Sequence, residues 1–96
     1  MAKKLTPIHP GLILDEDLRE AGVSLNRLAR DIRVPMNRIS AIVNGKRSIT
    51  ADTAIRLALF FGTTPQYWMN LQTNYDLALA SFTKGDRIRE DVKVLA

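Results

Sequence analysis

The segment Leu25–Asn44, LNRLARDIRVPMNRISAIVN, constrains the fold more than any other part of the chain. Leu25, Leu28, Ala29 and Ile32 recur at i, i+3, i+4 and i+7, so the segment opens as an amphipathic helix. Pro35 disfavours helical geometry at Val34 and stops that helix. A second helical pattern follows at once, with Ile39, Ile42 and Val43 inward and Asn44-Gly45 as a left-handed exit. Two helices of about eight residues, joined by only two or three, must cross steeply instead of forming an antiparallel hairpin. Such a crossing needs a small residue where the helices touch. Ala29 supplies it, and Val34 plugs the turn.

The flanking sequence reads as further helices. A first one is expected from Pro10 to Ala21, since proline suits a first helical turn and Gly22 suits the left-handed position beyond the last. Leu14, Leu18 and Ala21 mark its inner face, with Leu12 or Ile13 joining them. Ser24 can cap the second helix, and Val23 and Leu28 are spaced as a hydrophobic staple. After a loop of residues 46–49, a fourth helix begins near Thr50, turns Ala54, Leu57, Ala58 and Phe61 inward, and closes at Gly62. Thr64-Pro65 then starts a fifth helix, expected to reach about Ala80, with Trp68, Leu71, Tyr75 and Leu79 as a stripe. The expected fold is all-α: one five-helix bundle over residues 9–82, a flexible arm at 1–8 and a charged, flexible tail at 83–96.

Several function classes are disfavoured. Cysteine is absent and His9 is the only histidine, so no metal site or cofactor is expected; His9 is expected to shape the start of the first helix. Asp15, Glu16 and Asp17 are consecutive, so in a helix they point in different directions and make no catalytic pair. There is no phosphate-binding glycine loop and no nucleophile–base pair, and an enzyme is not expected. No apolar run approaches the roughly 20 residues that span a bilayer, and no apolar stretch follows Lys3 and Lys4 as in a secretory signal. A cytoplasmic protein is the expectation.

Charge supplies the positive clue. The net charge is only +4, but residues 24–47 carry Arg27, Arg30, Arg33, Arg38, Lys46 and Arg47 against Asp31 alone. A one-sided field of this kind attracts polyanions. The outward side of the third helix presents Asn37, Ser40, Ala41 and Asn44, flanked by Met36 and Arg38. Amides, a hydroxyl and a methyl are the groups that read base edges in a major groove. Met36, Asn37, Arg38, Ser40, Ala41 and Asn44 are therefore the expected base-reading residues of a helix-turn-helix. Ser24, Arg27, Arg33, Lys46 and Arg47 are the expected phosphate contacts. Arg33 stands at a turn position expected to be left-handed, where an L side chain costs on the order of 1 kcal/mol.

From His9 to Ala80 the chain resembles the HigA-like antitoxins, also called virulence-associated protein I, a branch of the Xre/Cro repressor family. The resemblance is carried by HPG at His9–Gly11, by the helix-turn-helix at Ser24–Gly45 and by GTTPQYWMNLQTNYDL at Gly62–Leu77. Arg33 departs from the glycine usual there. The resemblance implies a lambda-repressor-like bundle that neutralises a RelE-like messenger-RNA-cleaving toxin and represses its own operon. A homodimer on a double-stranded operator is expected because a single unit offers few base contacts. The fifth helix is the expected dimer interface, with Met69, Leu77 and Leu79. A stand-alone repressor without a toxin and a pure protein-interaction module remain as alternatives.

Overall fold

The computed structural model describes residues 7–95, so the expected N-terminal arm lies mostly outside the described residues. The chain forms α1 (Pro10–Ala21), α2 (Leu25–Ile32), α3 (Met36–Val43), α4 (Ala51–Phe61) and α5 (Pro65–Asp91). No strand occurs among the described residues. Each start has a local cause. The His9 ring Nδ1 accepts the Gly11 N–H at 2.9 Å, and the hydroxyls of Ser24, Thr50 and Thr64 accept first-turn N–H groups of α2, α4 and α5. Pro35 precedes α3 with no side-chain cap. Each stop is equally local. Gly22 and Gly62 end α1 and α4 in the left-handed region, and Arg33 does the same for α2 at φ 56° and ψ 50°. After α3 the left-handed residue is Gly45 alone, while Asn44 keeps a φ of −84°.

The core gathers Leu14 and Leu18 of α1, Leu28 and Ile32 of α2, Ile39 and Ile42 of α3, Leu57 of α4 and Trp68 of α5. Val34 and Ile49 close it from the two connections. Burying each large aliphatic side chain contributes roughly 1.5–3 kcal/mol. Ala29, Ala54 and Ala58 keep the crossing helices close. Ile13 turns partly inward whereas Leu12 is exposed, and Ala21 ends exposed despite its place on the expected inner face.

The fifth helix corrects the sequence expectation: it continues past Ala80 through Asp91 for 27 residues. At 1.5 Å per residue that is about 40 Å. It accounts for the elongated shape of 52 × 26 × 22 Å. The charged composition of the tail suggests a loop, yet its charges pair along a helix. Arg89 bonds Asp86 one turn back, and Arg87 lies 3.9 Å from Asp91. Gly85 would weaken such a helix, but the Arg89 guanidinium folds to within about 3.5 Å of where its Cβ would be. The helix ends at Val92, whose backbone is extended.

Candidate nucleic-acid interface

The crossing of α2 and α3 leaves one side of α3 uncovered. Met36, Asn37 and Asn44 are exposed there, and Ser40 and Ala41 are half-buried beside them. The Asn44 amide donates to the Ser40 hydroxyl at 3.4 Å, a weak bond that aligns both groups without exhausting either. The five share a surface whose polarity comes from amides and a hydroxyl, with no side-chain charge among them.

Arg38 departs from the rest of the expected base-reading set. It is half-buried, and its Nε is sealed from solvent without a hydrogen-bond partner in the protein. Its side chain instead lines a cleft of about 470 Å³ with Arg33, Arg47 and Arg56. Ser48 and Thr50 complete the polar wall. The cleft lies where the α2–α3 turn, the α3–α4 loop and the start of α4 converge. Only Asp52 brings negative charge to it, and that carboxylate already holds Arg56 Nε at 2.7 Å. Arg56 also donates through Nη1 to the Ile32 carbonyl at 2.9 Å, tying α4 to the last turn of α2. Arg33, Arg38 and Arg47 enter no ion pair among the described residues.

The other expected phosphate residues divide. Lys46 and Arg47 stand exposed on the loop. The Ser24 hydroxyl accepts the Arg27 N–H at 3.1 Å as a helix cap. Arg27 itself pairs with Asp31 at 3.3 Å, and Asp31 also lies 3.7 Å from Arg30. Such exposed pairs contribute only about 0.2–0.5 kcal/mol and yield readily to a competing anion.

Behind the loop lies Gln72 of α5, buried at 4% exposure. Its Oε1 accepts the Ile49 N–H at 2.7 Å, and its Nε2 donates to Ser48 Oγ at 3.3 Å and to Asp76 Oδ1 at 2.9 Å. At the residues expected to dimerise, Met69 is half-buried against the chain's own core, whereas Leu77 and Leu79 are exposed. Trp68, at the start of the expected stripe of α5, is buried in the core. Among the described residues there is no group of three metal-binding side chains and no helix long and apolar enough to cross a membrane.

Residues 15–68, more than half of the chain, match the helix-turn-helix family. Virulence-associated protein I of Dichelobacter nodosus is 46% identical over 82 residues, covering 84% of this chain and 76% of that protein. An addiction-module antidote protein of the HigA family from Coxiella burnetii superposes with a TM-score of 0.90 at 51% identity, covering 95% of this chain and 100% of that one. The chain belongs to the HigA family of helix-turn-helix proteins. Another solved relative, the Pseudomonas aeruginosa antitoxin HigA with the higBA promoter, superposes with a TM-score of 0.89 at 45% identity over 94% of this chain and 99% of that one.

A HigA-family chain is a regulator, not an enzyme. Within it, the sequence pattern had missed Arg56, Thr50 and Gln72. Arg56 and Thr50 lie beyond the basic quarter of the chain and reach the cleft only through the fold. Gln72 carried a signal, since it is a polar residue on the inward stripe between Trp68 and Tyr75.

Proposed function

We propose that this HigA-family chain is an antitoxin that binds operator DNA as a dimer, represses its own promoter and neutralises a RelE-like messenger-RNA-cleaving toxin in the cytoplasm. The observation that carries the DNA reading is the uncharged hydrogen-bonding side of α3 set beside a cleft of four arginines. Asn37, Ser40, Ala41 and Asn44, with Met36, meet base edges; asparagine can bond adenine twice, and the alanine methyl suits thymine. Arg33, Lys46 and Arg47 take backbone phosphates, joined by Arg38, which is placed for phosphate better than for a base. Ser24 and Arg27 flank them at the start of α2. The relative solved with its promoter supports this arrangement. The antitoxin half is supported by kinship with the addiction-module antidote.

A mobility-shift titration with the promoter upstream of the chain's own gene tests the DNA reading. Asn37→Ala and Ser40→Ala should each weaken promoter binding by roughly 1–3 kcal/mol while leaving a scrambled duplex unaffected. Lys46→Ala and Arg47→Ala should weaken both duplexes alike and flatten the salt slope by about 0.9 for each phosphate no longer neutralised. Wild-type affinity in all four variants would refute the assignment. The antitoxin half is tested by expressing the small reading frame beside the gene with and without this chain. Toxicity that the chain fails to relieve would leave a repressor alone.

A further inference from the structure

We propose that Gln72 is a positioning residue for DNA binding, holding the loop that carries Lys46 and Arg47 against α5 in the shape that meets phosphate. The proposal rests on the DNA-binding reading above. The loop leaves α3 through the Lys46 N–H, which donates to the Ala41 carbonyl at 2.8 Å. Its far end is pinned by the Ile49 N–H, which donates to Gln72 Oε1 at 2.7 Å, while the Ile49 side chain is buried at 1% exposure. Arg47 and Ser48 span the gap between these two pins, and Ser48 is itself held by Gln72 Nε2 at 3.3 Å.

The orientation of the amide is dictated by a third group. A carboxylate can only accept, so Asp76 Oδ1 at 2.9 Å requires the nitrogen of Gln72 on its side. That leaves the oxygen for the Ile49 N–H. A buried N–H stripped of its acceptor must find another partner, and here the loop can do so only by moving toward water. Loop position is thereby coupled to α5. Lys46 and Arg47 would retain their charge after such a movement but lose their placement.

The test uses the full-length chain with Gln72→Leu, which removes all three bonds, and Asp76→Ala, which frees the amide from an exposed position. Hydrogen exchange at the Ile49 amide reads the lock directly. It should quicken at least about tenfold in Gln72→Leu and less in Asp76→Ala, while core amides of α1 and α4 keep their protection. Affinity for a mixed-sequence DNA duplex should fall about tenfold in Gln72→Leu, with a salt slope shallower by about 0.9 for each phosphate no longer neutralised. In an Arg47→Ala background the same substitution should cost much less, because a misplaced arginine and an absent one leave the same phosphate bare. A general loss of stability would predict neither the altered slope nor this non-additivity. Unchanged Ile49 exchange in both variants, or full additivity with Arg47→Ala, overturns the proposal. Should Gln72→Leu fail to fold, Asp76→Ala decides by the same two readouts. A wild-type chain that ignores every duplex sinks the DNA reading and this role with it, whereas exchange at Ile49 still reports whether the lock exists.

Discussion

A Cβ placed on Gly11 would lie 1.8 Å from the carbonyl oxygen of Ile42 and 3.0 Å from the Cα of Val43. The first turn of α1 therefore rests directly on the last turn of α3, backbone against backbone. Gly11→Ala cannot be relieved by a rotamer change, since the obstructing atoms are main chain. Overpacking of this kind typically costs 1–3 kcal/mol, and with no flexible neighbour the cost should approach about 3 kcal/mol. Urea unfolding would measure it. A loss below roughly 0.5 kcal/mol, the range of ordinary surface substitutions, would mean that α1 does not sit on α3 as described.

Arg33 should trade stability for affinity. Its φ of 56° is the only positive value among the described non-glycine residues, and its side chain lines the arginine cleft. Arg33→Gly removes the left-handed strain and should raise stability by up to about 1 kcal/mol, less the extra entropy that glycine gives the unfolded chain. The same change removes a cation from the cleft, so duplex affinity should fall and the salt slope should flatten. Melts and shift assays moving in opposite directions would establish both roles. A destabilised Arg33→Gly would show that the arginine stem contributes packing worth more than the strain.

Legibility followed the local nature of the signal. Pro10, Gly22, Ser24, Pro35 and Gly62 act on their own backbone, so the ends of α1, α2 and α4 were readable from residue type. The end of α5 was not. Its terminal turns contain Gly85 and alternating charge, which read as a loop, and the pairing of Arg87 with Asp91 and Arg89 with Asp86 that accompanies the helix shows only once the turns are formed. The side of α3 was readable because period alone places Asn37, Ser40 and Asn44 together. The recruitment of Arg38 into a cleft with Arg56 was hidden, since it depends on how α4 abuts the turn.

His9 should make stability fall under mild acid. Its Nδ1 can accept the Gly11 N–H only while unprotonated, and its ring meets Tyr75 edge-on at a centroid distance of 4.8 Å. Burial lowers its pKa below the ordinary 6.5, with Asp76 opposing part of that shift. The unfolded chain therefore binds the proton more readily than the folded one. Stability is full above about pH 6.5 and declines as pH falls toward the folded-state pKa. His9→Ser keeps a capping oxygen and has no imidazole to titrate. Urea midpoints between about pH 7.5 and 5.5, above the range where ordinary carboxylates titrate, should slope for wild type and flatten for His9→Ser. Equal slopes would move the sensitive group elsewhere.

Dimerisation should depend on Leu79 and Phe82 of α5. Trp68, Gln72, Tyr75, Leu79 and Phe82 recur at alternating intervals of four and three, which keeps them on one stripe of the helix. The first half of that stripe is covered by the bundle, with Trp68 at 1% exposure. The second half runs beyond it, where Leu79 is 38% and Phe82 47% exposed. An apolar stripe that continues past its own core suits the same stripe of a second copy, paired about a two-fold axis. Leu77, at 63% exposure, is two positions from Leu79 and thus about 200° around the helix. Leu79→Lys combined with Phe82→Lys should yield a folded monomer by sedimentation, and promoter binding should drop toward the non-specific level. Leu77→Lys should have the smaller effect on both. A doubly substituted chain that stays dimeric with its circular dichroism intact would refute this stripe, and a dominant effect of Leu77→Lys would place the interface on the opposite side of α5.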